Sequence, residues 1–315
     1  MTRVAAIDCG TNSIRLLIGD VTDGQLTDVV RTLEVVRLGQ GVDRTGRFAD
    51  DALARTLAVT RRYAGLCVSH GVERLRFVAT SATRDATNRD DFLGPVREML
   101  GVEAEVIEGR EEAELSFRGA LSVLGITGSE GQLRLVVDLG GGSTELVLGD
   151  SSPVSAFSMD VGCVRLTERH VTTDPLSAIE RAALAADVRS ALEEAGDVVD
   201  VSAASAVLGV AGTVTTITAH ALRLPGYDPV VINGARLPLE TVLNACEDLA
   251  RMPRDERAAL PFMHEGRVDV IPAGAVIWAE VLRFVRDRTA DTSHPVTEVI
   301  TSEHDILDGV ALSLA

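Results

Sequence analysis

Leu135-Val136-Val137-Asp138-Leu139-Gly140-Gly141-Gly142-Ser143-Thr144-Glu145-Leu146-Val147-Leu148-Gly149-Asp150 joins an apolar run to a glycine turn and a second apolar run, and the chain carries this pattern twice. The earlier copy is Ala5-Ala6-Ile7-Asp8-Cys9-Gly10-Thr11-Asn12-Ser13-Ile14-Arg15-Leu16-Leu17-Ile18-Gly19-Asp20. An offset of 130 positions, from Asp8 to Asp138, also lays Gly10 on Gly140, Ser13 on Ser143, Leu16 on Leu146, Gly19 on Gly149 and Asp20 on Asp150. Independent hairpins have no reason to share Asp, Gly and Ser at the same offsets, so duplicated halves are expected.

A four-residue apolar run such as Val4 to Ile7 suits a strand buried on both faces, and the alternation after each turn suits its partner. Glycines in the turn let the backbone approach an anion closely. The unpaired N–H groups there, with the Thr and Ser hydroxyls, are donors for phosphate oxygens. An Asp closing the first strand faces the same spot, where it suits Mg²⁺ directly or through water. The copies differ informatively at one place, where Glu145 stands in the position of Arg15. One hairpin then brings a cation for an anion, and the other a second carboxylate to join Asp138 around a metal ion.

The remaining chain alternates strands and helices. Asp23-Gly24 reads as a hairpin turn leading into a strand over roughly Gln25 to Leu38. Leu53, Leu57, Thr60, Ala64, Cys67 and Val68 recur at helical spacing, with Gly71 to end that helix. Arg74–Ala79 is the next strand. Thr80, Ser81, Thr83 and Arg84 form a polar loop at its end, where ligand groups collect in α/β folds. A helix over Asp90–Leu100, a strand over Glu103–Ile107 and a helix opened by Gly109-Arg110-Glu111-Glu112 follow. Thr127–Gln132, rich in Gly and Ser, is the expected boundary, giving domains 1–127 and 132–302, with a terminal helix 303–315 as a candidate to pack back on the first. After the second hairpin come a strand over Val154–Met159, a helix from Pro175 to Gly196 and a strand over Ala206–Ala211. That strand feeds Gly212-Thr213 and the helix Val214–Leu222, and a glycine turn at a helix N-terminus is an anion site. Helices near Leu239–Arg251 and Val268–Arg288, and a strand over Val296–Thr301, complete the second half.

The composition narrows the function classes. At 315 residues the chain is long enough for two domains, each with its own core. No apolar stretch approaches the ~18 residues of a membrane span. The first residues lack the pattern of a secretory signal. Cys9, Cys67, Cys163 and Cys246 form no Cys-x-x-Cys pair and read as reduced thiols, which points to a cytoplasmic protein. The six histidines show no metal-ligand spacing. A net charge of −17 argues against nucleic acid as partner. It also opposes a polyanionic substrate unless Mg²⁺ and local arginines neutralise it.

Asp8–Leu16, Ser81-Ala82-Thr83-Arg84-Asp85-Ala86, Gly109-Arg110-Glu111-Glu112-Ala113, Asp138–Glu145 and Gly209-Val210-Ala211-Gly212-Thr213 resemble, in order, the motif series of the Ppx/GppA phosphatase family. The likeness covers essentially the whole chain and is closest to the short, two-domain exopolyphosphatases. It implies an α/β architecture of the actin-like ATPase class, two duplicated ribonuclease-H-like domains around a central cleft, and a possible homodimer. It also implies Glu112 as catalytic base. Thr11, Asn12, Ser13, Arg15, Arg84, Gly141, Gly142, Ser143, Thr144, Gly212 and Thr213 become phosphate-binding candidates. Asp138, Glu145 and Asp8 become metal-binding candidates for Mg²⁺, with Mn²⁺ as a substitute. Arg165 and Arg267 lie in family-like segments without an assigned role, and Glu303 is given none.

The expected function is therefore release of terminal phosphate from inorganic polyphosphate by in-line attack of water. The alternatives are a phosphohydrolase of guanosine pentaphosphate (with guanosine tetraphosphate as a further ligand), an actin-like kinase, and a non-catalytic sensor of polyphosphate or alarmones. Glu112 and the Arg84 loop weigh against the kinase.

Overall fold

The computed structural model describes residues 2–123 and 132–315. The boundary expected at Thr127–Gln132 falls outside these residues, apart from Gln132 itself. By its contacts the chain divides into two compact units, Met1–Gly119 with Ile306–Ala315, and Ala120–Asp305.

The first unit is built from β1 (Thr2–Cys9), β2 (Ser13–Thr22), β3 (Gln25–Val35), α1 (Val42–Thr45), α2 (Asp50–Ser69), β4 (Arg74–Ala79), α3 (Ser81–Asp85), α4 (Asp90–Leu100), β5 (Ala104–Val106) and the start of α5 (Gly109–Val123). Its five-stranded sheet has the order β3-β2-β1-β4-β5. The first three strands form an antiparallel meander, and β4 and β5 add in parallel. Asp23 and Gly24 turn the β2–β3 hairpin with φ of 51° and 77°, the left-handed pair a two-residue hairpin turn demands. β3 stops at Val35, three residues short of the expected end. The amides of Val36 and Arg37 both leave the ladder to donate to the Asn12 carbonyl, at 3.0 and 2.8 Å.

Alternation along β1 decides what faces the site. Ala5, Ile7 and Cys9 point into a core with Ile14, Leu16, Ile18, Tyr63, Phe77 and Phe92. Val4 and Ala6 point the other way, into a second core with Leu17, Ile107 and Leu115. Asp8 follows Ala6 by two residues, so it shares the face covered by α5.

The second unit repeats the plan. β6 (Arg134–Leu139), β7 (Thr144–Gly149) and β8 (Pro153–Met159) form the meander, followed by α6 (Cys163–His170), α7 (Ala178–Gly196), β9 (Ala206–Val210) and α8 (Ala211–Ala221). α9 (Pro229–Ile232), β10 (Arg236–Pro238), α10 (Leu239–Arg251), α11 (Arg254–Ala258), α12 (Ile271–Thr289) and β11 (Glu298–Thr301) complete it. The sheet order is β10-β11-β9-β6-β7-β8, which contains the first sheet's order plus one edge strand. α7 starts at Ala178, not at Pro175, because Ser177 and Glu180 close a capping box there. The chain ends in α13 (Ile306–Leu312), whose Ile306, Leu307, Val310 and Ala311 fill the α5-side core of the first unit. Among the described residues no helix is long and apolar enough to cross a membrane.

Candidate active site

In the first unit, a turn, a short helix and the head of α5 bring four charged side chains together. The turn after β1 closes with Gly10 N donating to Ser13 O at 3.0 Å. Its carbonyls at Thr11 and Asn12 are taken from behind by the amides of Gly39, Val36 and Arg37. With those acceptors engaged, the turn is left to present N–H groups. Asp8 and Arg15 are register partners, and the Arg15 Nε and Nη2 reach Asp8 Oδ2 at 2.9 and 2.6 Å. Thr11 Oγ1 lies 2.9 Å from Ser81 Oγ, tying the turn to α3. The residues from Ser81 to Asp85, expected as loop, form this short helix, which carries Arg84. Arg84 Nη1 donates to the Ile107 carbonyl at 2.8 Å and to Glu112 Oε2 at 2.7 Å.

Glu112 is 8% exposed. Burial pushes its carboxyl above the ordinary glutamate value, Arg84 draws it back down, and the negative charge of Asp8 adds to the rise. A carboxyl so placed takes up a proton more readily than a solvated one, while Arg84 keeps its oxygen oriented. Glu111, one residue earlier, instead pairs at the surface with Arg76 at 2.6 Å.

The second unit holds the matching turn with one change of charge. Gly140 N donates to Ser143 O, again at 3.0 Å. The amides of Cys163, Val164 and Arg165, at the start of α6, take the Gly140 and Gly141 carbonyls at 3.1, 2.8 and 3.1 Å. Asp138 and Glu145 are register partners, as Asp8 and Arg15 are in the first unit, so two carboxylates stand where a carboxylate and a guanidinium stood. Both are buried, at 7% and 1% exposure, and Ser158 Oγ donates to Glu145 Oε1 at 2.7 Å. Thr144 does not join the donors, since its hydroxyl turns inward to the Val161 carbonyl at 2.6 Å. Arg165 braces the turn by donating from Nε to the Gly142 carbonyl at 2.7 Å.

A third anion-type element lies at the head of α8. A Cβ on Gly212 would meet the Arg267 guanidinium at 2.4 Å, so glycine there lets the guanidinium lie directly over the backbone. Arg267 Nη1 also donates to Thr216 Oγ1 at 3.0 Å, and no carboxylate pairs with it among the described residues. Thr213 packs against Gly274, beside Cys163 at the start of α6, which links this element to the second glycine turn. Like Arg165, Arg267 has no role assignable from the sequence alone. The available signal was the family-like segment Arg267–Gly274, but its contact with Gly212 joins positions far apart in the chain.

Among the described residues no three or more His, Cys, Asp and Glu side chains gather into a metal-holding group. A magnesium ion does not require one, since it retains waters and is commonly held by one or two carboxylates plus substrate phosphates. The buried, register-paired Asp138 and Glu145 fit that donor set.

Two sheets of order 3-2-1-4-5, each opening on an Asp-bearing strand and a phosphate-type turn, place the chain in the actin-like ATPase fold class. The family model described as Ppx/GppA phosphatase matches residues 17–302. The chain is 50% identical to "Exopolyphosphatase 2" of Mycobacterium tuberculosis, over 100% of its own length and 99% of that protein. It superposes on the crystal structure of an exopolyphosphatase-like protein with a TM-score of 0.95 at 45% identity, covering 100% and 98% of the two chains. An Aquifex aeolicus member of the Ppx/GppA family gives a TM-score of 0.78 at 29% identity over 99% and 97%. The chain belongs to the Ppx/GppA phosphatase family.

Proposed function

We propose that the protein is an exopolyphosphatase, a hydrolase of phosphoric anhydrides that releases the terminal phosphate of inorganic polyphosphate. The observation that carries the residue roles is the Arg84–Glu112 pair: a buried carboxyl with raised proton affinity, held at 2.7 Å by a guanidinium suited to phosphate. Phosphoryl transfer asks the protein mainly for positioning and charge neutralisation, and the parts described above supply both.

In this reading Arg15 and Arg84, with the Thr11, Asn12 and Ser13 turn, are the phosphate-binding groups of the first unit. Gly141, Gly142, Ser143, Gly212, Thr213 and Arg267 are those of the second. Glu112 orients a water in line with the terminal phosphorus and takes its proton as the new P–O bond forms. The bridging P–O bond then breaks, and the shortened chain departs as the leaving group. Asp138 and Glu145 would hold Mg²⁺ or Mn²⁺, which when bound withdraws charge from the phosphate oxygens. Phosphate binding by Arg84 draws the guanidinium off Glu112, which leaves the carboxylate more basic at the moment it is needed.

The test is phosphate release from tripolyphosphate, long-chain polyphosphate, ATP and guanosine pentaphosphate, with and without Mg²⁺. Release from the polyphosphates that depends on Mg²⁺ is expected. Turnover confined to the guanosine nucleotide, or transfer of phosphate from ATP to an acceptor, would overturn the reading.

A further inference from the structure

In each sheet the charged side chains beside the glycine turn stand in a row across the antiparallel meander, because residues directly opposite one another in a ladder project from the same face. In the first unit the row is Asp8, Arg15 and Leu33. In the second it is Asp138, Glu145 and Ser158. The rows therefore differ on the third strand as well as on the second, and the two differences belong together.

The first row is closed within itself. Arg15 donates to Asp8 from both Nε and Nη2, and the place on the third strand is left to a hydrocarbon side chain. In the second row neither acid can serve the other, since an ionised carboxylate accepts hydrogen bonds and has none to give. The third strand supplies the donor: Ser158 Oγ gives its proton to Glu145 Oε1 at 2.7 Å. Glu145 is 1% exposed, so bulk water has little access to orient the carboxylate in its place.

We propose that Ser158 is a positioning residue for metal binding: its hydroxyl fixes the rotation of the Glu145 carboxylate about its terminal bond, so that the acid meets a divalent cation already oriented. The proposal rests on the reading of Asp138 and Glu145 as the metal-holding pair and identifies a residue that sets the affinity of that pair. A carboxylate left free to rotate must be ordered when the ion arrives, and the lost freedom weakens binding. Groups that hydrogen-bond a metal-ligating side chain change metal affinity by about 10–100-fold when removed.

The test titrates Mn²⁺ into the protein with inorganic phosphate present, and the EPR signal of the free ion reports the dissociation constant. Wild type, Ser158→Ala, Ser158→Thr, Ser158→Val and Ser155→Ala are compared, each checked for intact folding by its melting curve. Ser158→Ala is expected to weaken Mn²⁺ binding about tenfold. Thr and Val share one shape and both suit a strand, so that pair isolates the hydroxyl: Ser158→Thr is expected to stay within about threefold of wild type, and Ser158→Val to weaken with Ser158→Ala. Ser155 lies on the same strand with opposite parity, and its buried hydroxyl has no hydrogen-bond partner among the described residues, so Ser155→Ala is expected to bind Mn²⁺ as wild type does. In phosphate release from tripolyphosphate, Ser158→Ala is expected to need about tenfold more Mg²⁺ for half-maximal rate and to regain most of its kcat at saturation. Unchanged Mn²⁺ affinity in folded Ser158→Ala, or Ser158→Val binding as tightly as Ser158→Thr, overturns the proposal and leaves the metal pair standing. Wild-type protein that takes up no Mn²⁺ defeats the metal-pair reading itself, a result distinguishable from either of these. The expected weakening in a protein inert on polyphosphate supports the proposal and defeats only the substrate reading.

Discussion

Both arginines assigned to phosphate on the first unit are already paired with carboxylates, Arg15 with Asp8 and Arg84 with Glu112. Each pair is largely withdrawn from water, so removing one partner leaves the other costly to keep charged. Replacing Glu112 by Gln keeps the shape but removes the carboxylate proposed as proton acceptor. Turnover is expected to fall by roughly 10²–10⁴, the usual share of general acid–base catalysis, with the melting temperature little changed. Near-normal turnover in a folded Glu112→Gln variant would remove Glu112 from the mechanism. The pH dependence has a defined sign. As the proposed proton acceptor Glu112 would act ionised, and its folded pKa lies above the ordinary glutamate value, so activity is expected to rise as pH climbs through that raised value. Arg84→Gln takes away the cation that favours ionisation, and the acid limb of the kcat/KM profile is expected to move to higher pH. A limb that stays put or moves down counts against the pairing.

At the scale of elements, the duplicated hairpins share more than sequence. Each turn closes with the same 3.0 Å hydrogen bond, and each has its carbonyls taken by the segment that follows the third strand. Gly162 makes that contact in the second unit. A Cβ there would sit 2.3 Å from the Gly141 carbonyl oxygen, a backbone atom with no room to yield. Gly162 has an ordinary extended φ of −146°, so the objection to a side chain is contact alone. Gly162→Ala is expected to cost roughly 1–3 kcal/mol, as overpacking usually does, and to lower kcat/KM by distorting the turn. Chemical denaturation with matched kinetics measures both, and a variant with wild-type stability would show the contact to be soft. Much of this element-level plan was legible in the sequence. Strand alternation, the Asp23-Gly24 turn and the glycine helix stops are local signals. The ends that shifted, Val35 for β3 and Ala178 for α7, were set by a carbonyl on another segment and by a side-chain cap.

At the scale of the whole molecule, the last helix returns to the first unit and locks onto the element that carries Glu112. A Cβ on Gly309 would lie 2.0 Å from the Leu115 carbonyl oxygen, less than one helical turn beyond Glu112. Asp308, 1% exposed, pairs with Arg31 of β3 at 2.5 Å. Gly309→Ala is therefore expected to lower both stability and turnover, and loss of stability without any change in kcat would show that α13 holds the core and does not position α5. The net charge of −17 sets a second expectation. A polyanion approaching this protein is repelled at long range, so at fixed free Mg²⁺ kcat/KM should increase as monovalent salt shortens the Debye length from roughly 30 to 10 Å. A monotonic fall with salt would mean that local arginines dominate the approach.

By itself the sequence determined the duplicated strand–turn–strand units, the Asp at the end of each opening strand, and the change from Arg15 to Glu145. These depend on period-two burial and on what glycine permits over a few neighbouring residues. Only the tertiary structure decided that Arg84 holds Glu112 across 28 positions, that Thr144 turns its hydroxyl inward, and that Arg267 lies over Gly212. Those pairings depend on strand order and helix docking, which bring distant positions together. No local preference of the chain encodes which side chain will be found opposite.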